Sequence, residues 1–271
     1  MKQLYDFYID ASVHVAFAVL ALLEATFILL NIPSGIHLDL FVFFGTISAY
    51  NFVKYGVEAE KYILVATRYH KNIQFFSIVA LFIALYNAFY LSNNALIFLC
   101  VMIFMTGLYA VPVLPHTKNL RNLGGLKIFI VALVWAGTTV LLPVYQINSV
   151  ISWDVVIETI QRFVLVLILL VPFEIRDLAY DSPALKTLPQ RFGVSTTRII
   201  GSFGTTVFFA LTFLKDDLQP IEVIGKGILF LCLGFTMLFT EKHQQRYFAS
   251  FWVEAIPIFW WGVLVLIGTF Y

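Results

Sequence analysis

The sequence predicts an all-α polytopic membrane protein, with nine transmembrane helices in one bundle, and three observations lead there. Of its 271 residues, 61% are hydrophobic and only 12% charged, with a mean hydropathy of +0.89, where soluble domains average roughly 45–50% apolar and about 25% charged. Apolar runs near the ~20 residues that cross a ~30 Å hydrocarbon core occupy approximately 11–30, 38–56, 73–91, 95–114, 127–146, 156–173, 196–214, 221–239 and 250–270. The breaks between them alternate in kind. Short, charge-poor breaks (31–37, 91–94, 145–153, 214–220) alternate with longer basic ones around 54–72, 115–127, 174–198 and 241–247.

Each element follows from that pattern. The N-terminus, MKQLYDFYIDASVHVAF, places acids before its apolar run and lacks a small-residue cleavage site, so it reads as the first span rather than a removed signal. The basic breaks and the N-terminus hold 14 of the 17 Lys and Arg, leaving Arg162, Lys215 and Lys226 on the other side. By the positive-inside rule the N-terminus is cytoplasmic and Tyr271 external, in an inner or plasma membrane. No linker or low-complexity tract divides the chain, so residues 1–271 read as a single domain. The basic residues form no stripe, which excludes a nucleic-acid partner. Cys100 and Cys232 sit in separate apolar runs and read as small hydrophobes.

The polar equipment concentrates where span six ends, in EIRDLAYDSPALKTLPQRFG (174–193). On a continued helix Glu174, Asp177 and Asp181 stand at i, i+3 and i+7, within about 60° of one face. Three carboxylates so placed can hold a divalent cation, Mg²⁺ being the natural candidate because it shares its shell with substrate phosphates. Arg176, Lys186 and Arg191 can then contact the phosphates. The alternative is that Asp177 and Asp181 pair with Arg176 and Lys186 at a solvated helix end.

IRDLAYDSPALKTLPQRFG resembles the second aspartate-rich signature of the UbiA superfamily of intramembrane prenyltransferases. Asp177 and Asp181 fall on its paired aspartates, Lys186 to Pro189 on its Lys-Thr-Leu-Pro stretch and Gly193 on its glycine. The family's first signature, an Asn-Asp-x-x-Asp-x-x-x-Asp pattern after span two, corresponds to AYNFVKYGVEAEKY (49–62). Asn51 matches the asparagine, but Phe52, Tyr55 and Ala59 stand at the aspartate positions. The resemblance therefore implies one Mg²⁺ site rather than two. Lys54 stands where it can neutralise phosphate, or it can pair with Glu58 one turn on. The stretch 108–143 resembles the loop after span four, where Tyr109, Lys118, Arg121 and Lys127 take diphosphate-contacting places; read structurally, the same charges are a positive-inside anchor.

The resemblance implies transfer of an isoprenyl group from a polyprenyl diphosphate to an aromatic or lipid acceptor. Asp177, Asp181, Asn51 and Lys54 would serve as catalytic groups. The alternative function is a non-catalytic protein of the same fold that binds an isoprenoid or a protein partner. The many Phe and Tyr would line an isoprenoid tunnel or simply pack the bundle. Two further acids lie within spans, Glu24 in the first and Glu254 near the expected external start of the ninth, and an ionisable group there is a functional candidate by default. His14 reads as a satisfied helix histidine.

Overall fold

The structure, a computed structural model, describes residues 2–57, 68–110, 126–181 and 185–270. Among them there are helices and turns and no strands. In chain order the helices are α1 (Lys2–Asp10), α2 (Val13–Leu29), α3 (Ile36–Asn51), α4 (Arg68–Ala88), α5 (Asn93–Ala110), α6 (Leu126–Ala136), α7 (Leu142–Gln146), α8 (Trp153–Asp177), α9 (Leu188–Leu211), α10 (Pro220–Phe239) and α11 (Ile256–Gly268). Three π-helical stretches interrupt them: Phe52–Val57 extends α3, Gly137–Leu141 joins α6 to α7, and Phe248–Val253 precedes α11.

Seven of these helical segments are long and apolar enough to cross a membrane, and the pair Gln3–Asp10 and Val13–Leu29, bent by 54°, makes an eighth. Asn93–Gly107 is a shorter apolar helix. Every expected run overlaps a helix, so the chain is an integral membrane bundle; among the described residues seven or eight of the nine expected crossings meet the length and apolarity of a span.

α3 packs on α4, α6 on α8, α8 on α9, α9 on α10 and α10 on α11, and α11 returns against α2. Burial ranks them. The α6–α7 segment and α8 bury 61% of their spans and α2 buries most of its residues, whereas α3, α4, α9, α10 and α11 bury 22–33%, so α2, α6–α7 and α8 form the centre and α4 faces lipid with Phe75, Phe82 and Tyr86. In lipid such apolar exposure carries no penalty, while every backbone polar group must be bonded internally. Ser12, left-handed at φ 60°, sets the α1–α2 bend.

One assembly of charge lies inside the half of the bundle opposite the basic breaks. Glu158 accepts from Arg162 at 3.2 Å and Lys226 at 2.7 Å and forms an ion pair with Lys215 at 2.9 Å. Glu222 sits on the same two lysines. The Arg162 guanidinium also donates to the Leu22 carbonyl of α2, to Thr139 at 3.0 Å and to Thr26 at 3.1 Å, and its charge lies 5.7 Å from the Trp260 ring centroid. Gln161 accepts from Lys226 and donates to the Phe208 carbonyl and to Thr212. All five ionic side chains are 0–2% exposed. The network thus ties α2, α8, α9, α10 and the 137–141 turn. Gly225 makes room for it, since a Cβ there would collide with Leu264, and Trp260 donates to the Gly225 carbonyl at 3.1 Å.

A buried ion pair costs several kcal/mol of desolvation per ion, and removing one partner strands the other. Glu158→Gln is therefore expected to destabilise the protein by about 3–5 kcal/mol, read as a large drop in thermal unfolding temperature. Arg246→Ala, which removes a 66%-exposed partner of Asp6, should change it by no more than about 1 kcal/mol. Burial alone lowers the Lys215 ammonium, but Glu158 and Glu222 beside it raise it above the ordinary lysine value of 10.5. A raised cation contributes its stability in full below that value and loses it as pH climbs through the folded one. Unfolding temperature should therefore show no loss from this group up to about pH 10 and a loss only above it.

Candidate functional site

Helix ends at the opposite, basic side of the bundle carry the predicted site residues, and the sequence accounts for how each arrives. The α8 helix stops at Asp177, and the Tyr180 and Asp181 amides close the turn on the Asp177 carbonyl at 2.9 Å each. Asp181 thus lies in the turn beyond the helix, so the expected helical i, i+3, i+7 face covers only Glu174 and Asp177. The Lys-Thr-Leu-Pro stretch opens α9: Gln190 accepts from the Thr187 amide at 3.0 Å, and Pro189 sits in the first turn, where no amide is needed. Gly193 has φ 79° and ψ 165° inside α9 and kinks it. That conformation is essentially restricted to glycine, while no atom lies within 4 Å of a Cβ built there; the backbone, rather than space, requires glycine.

Four acids of this end, Asp6, Asp10, Glu174 and Asp177, each have a cation within 4.0 Å. Arg176 forks onto Asp177 at 2.7 and 3.1 Å. Lys127 lies 3.8 Å from Glu174, which is 4% exposed and keeps its Oε2 without a hydrogen bond. Lys54 lies 3.7 Å from Asp10 and donates to the Asp10 carbonyl at 3.3 Å. Tyr69 donates to the Asp10 carboxylate and Tyr55 to its carbonyl. Glu174 is within electrostatic reach of Asp177 and Asp181. Even so, no group of three or more His, Cys, Asp or Glu among the described residues is arranged to hold a metal ion. A guanidinium occupies both Asp177 oxygens, and Phe52 and Tyr55 carry no carboxylate, so a Mg²⁺ ion here would draw on Glu174, Asp177 and Asp181 together with substrate phosphates.

Asn51 is 3% exposed and committed. Its amide donates to the Ala11 carbonyl at 3.0 Å and to Ser77 at 2.8 Å, and its oxygen accepts from Ser12 at 2.8 Å. It locks the α1–α2 bend to α3 and α4. Lys186, at φ 46°, and Arg191 are exposed on the rim. Lys118, Arg121 and the alternative Lys54 partner Glu58 lie outside the described residues, as does the side chain of Tyr109.

Sequence reasoning missed Asp10, which gathers Lys54, Tyr55 and Tyr69, although its place beside the Ser12 bend is visible only in three dimensions. It also placed Glu254 at the wrong end. Glu254 is within electrostatic reach of Lys54 and Arg176, so α11 begins at the basic end. Glu24 lies within electrostatic reach of Asp39 near the other end, and His14 is bonded at both ring nitrogens, to Tyr8 and to the Phe251 carbonyl.

Solved structures that match include a UbiA homologue from Aeropyrum pernix K1 (TM-score 0.68, 12% identity, covering 95% of this chain and 98% of that one). A second is a UbiA homologue from Archaeoglobus fulgidus bound to GPP and Mg²⁺ (0.62, 11%, 93% and 96%). A third concerns digeranylgeranylglyceryl phosphate synthase (0.58, 17%, 98% and 97%). No protein family model matches the sequence, and neither does any curated protein. The chain is an integral membrane protein with the fold of the UbiA homologues.

If Asn51 is a structural tie, Asn51→Asp is as damaging as Asn51→Ala, because aspartate cannot donate to the Ala11 carbonyl and Ser77. Each should cost about 1–3 kcal/mol, seen as a lowered unfolding temperature without added ligand.

Proposed function

We propose that this protein is a member of the UbiA superfamily that binds an isoprenyl diphosphate at the basic, cytoplasmic end of the bundle and transfers the isoprenyl group to a hydrophobic acceptor. The observation that carries the reading is the set of cations there: Lys54, Lys127 and Arg176 each rest on a carboxylate and border an apolar interior. The fold of a neighbour solved with GPP and Mg²⁺ supports it. A diphosphate is the ligand that such cations can leave their carboxylates for, with Arg binding it through two parallel N–H donors and Lys as a point charge.

Transfer proceeds as the allylic carbon–oxygen bond breaks and its electron pair leaves on the diphosphate. The chain's own contributions are to neutralise that charge with Lys54, Lys127 and Arg176 and to hold the electron-poor carbon among apolar side chains away from water. Lys186 and Arg191 on the rim, and Lys118, Arg121 and Tyr109 in the preceding loop, add donors by the family resemblance. Mg²⁺, when bound, would further screen the diphosphate near Asp177 and Asp181, and no step here depends on it.

A second reading is favoured by Phe52 and Tyr55 at carboxylate positions: a protein of this fold that binds the isoprenoid diphosphate without turning it over. Both readings meet one experiment. Geranyl diphosphate binding by detergent-solubilised protein should survive EDTA, and should weaken about tenfold or more in Lys54→Ala and in Lys127→Ala, in line with the ~1.5–3 kcal/mol of a hydrogen bond to a charged group. Loss of all binding in EDTA would return the metal to the centre of the site. Binding without diphosphate release in the presence of hydrophobic acceptors would select the second reading, and absence of binding would end both.

A further inference from the structure

Lys54 differs from Lys127 and Arg176 in where its partner comes from. Those two rest on carboxylates of α8, Glu174 and Asp177, whereas Lys54 rests on Asp10, the last residue of α1. Its ammonium lies 3.7 Å from the Asp10 carboxylate and donates to the Asp10 carbonyl at 3.3 Å. Carbonyls at a helix C-terminus lack partners within the helix and form the negative end of its dipole. Lys54 therefore faces a carboxylate and a negative helix end together, which is electrostatically what a phosphate group would offer it. Tyr55 donates to the same carbonyl at 2.9 Å and Tyr69 to the carboxylate at 3.0 Å.

The rest of α1 grips the basic end in the same way. Asp6 stands one turn before Asp10, on the same helix face, and accepts from the Tyr247 hydroxyl at 2.7 Å and from Arg246 at 3.5 Å. The Tyr5 ring meets the Tyr247 ring edge-on at 5.0 Å, and Phe7 lies against Tyr69 and Phe76 of α4 at 6.2 and 5.8 Å. Thus α1 lies across the α3 extension, α4 and the 246–247 segment, bent by 54° from α2. Its anchor is at its base: Asn51 holds the Ala11 carbonyl and the Ser12 hydroxyl, and Ser12 is buried with φ 60°, a region that few residues other than glycine enter. Away from that anchor Leu4 is 77% exposed, and Lys54 and Asp10 are each about two-fifths exposed, so this pair opens without unpacking the core.

We propose that α1 is an autoinhibitory strap: in the donor-free protein Asp10 occupies Lys54 in place of a diphosphate, and donor binding displaces Asp10 and lets α1 pivot on the Ala11–Ser12 anchor. The inference rests on the donor site proposed above. Asp10 and a diphosphate carry the same sign and compete for one ammonium, so a diphosphate that reaches Lys54 removes the partner of Asp10 and repels it as well. The competition is mutual. Donor affinity is lowered by the fraction of molecules in which the strap is closed, and removing the charge of Asp10 raises it.

The test measures geranyl diphosphate binding by the detergent-solubilised full chain, together with the mobility of a spin label attached at Leu4→Cys after Cys100→Ala and Cys232→Ala have removed the natural thiols. Asp10→Asn keeps an oxygen for Tyr69 and should bind the donor about two- to fivefold more tightly, the scale on which a partly exposed ion pair acts. Asp10→Glu should bind as the wild type does, and in a Lys54→Ala background Asp10→Asn should give no gain. Saturating donor should make the label more mobile, and Asp10→Asn should move it part of the way without donor. Equal or weaker binding by Asp10→Asn would overturn the strap, because a merely structural contact predicts that result. A gain that persists in Lys54→Ala, or a label that donor leaves unchanged, would overturn it too, with the donor site standing. A wild type that binds no geranyl diphosphate overturns the donor site itself, and the strap with it.

Discussion

Charge inside a hydrocarbon slab has to be matched or it unfolds the protein, and that constraint organises this molecule around α8. One helix carries both polar assemblies. Glu158 and Arg162 near its start join the buried network, and Glu174 to Asp177 at its end join the candidate site. The 16 residue steps from Glu158 to Glu174 span about 24 Å of helix, most of the thickness of the hydrocarbon core. Between them α8 is lined by Leu165, Val166, Ile168, Leu169 and Val171, all buried, so the two ends are separated by tightly packed apolar structure.

The two assemblies differ in what they leave open. In the network each charge is paired with an opposite one, Gln161, Thr26 and Thr139 add hydrogen bonds, and the groups are 0–2% exposed. Such an arrangement fixes helices and exchanges with nothing. At the basic end two pairs are longer: Lys54–Asp10 is 3.7 Å apart with both partners about two-fifths exposed, and Lys127–Glu174 is 3.8 Å apart with one Glu174 oxygen unbonded. Looser pairs are the ones a diphosphate can displace. The chain shares its fold with proteins of 11–17% identity, and the network on the far side joins its helices apart from the candidate site.

Much of the fold was legible because hydrophobic runs and basic breaks are local properties, and each expected run coincides with a helix. The second signature was legible in its backbone roles, with Thr187 and Pro189 opening α9 and Gly193 bending it. What local reading could not supply was pairing across the bundle. Glu158–Arg162 and Glu222–Lys226 are visible as i, i+4 pairs inside apolar runs, yet their union with Lys215 requires α8 and α10 side by side. Asp10 reaches Lys54 only because of the bend at Ser12. The position of Glu254 follows from helix direction, so counting crossings correctly would have placed it at the basic end.

The central claim is that the cations at the basic end, freed from their carboxylates, are the diphosphate site. A structure of the protein with geranyl diphosphate tests it most directly. The account predicts the diphosphate among Lys54, Lys127 and Arg176, with the Lys54–Asp10 and Lys127–Glu174 contacts lengthened and the isoprenyl chain running into the bundle. A diphosphate bound elsewhere, with those ion pairs unchanged, would contradict it.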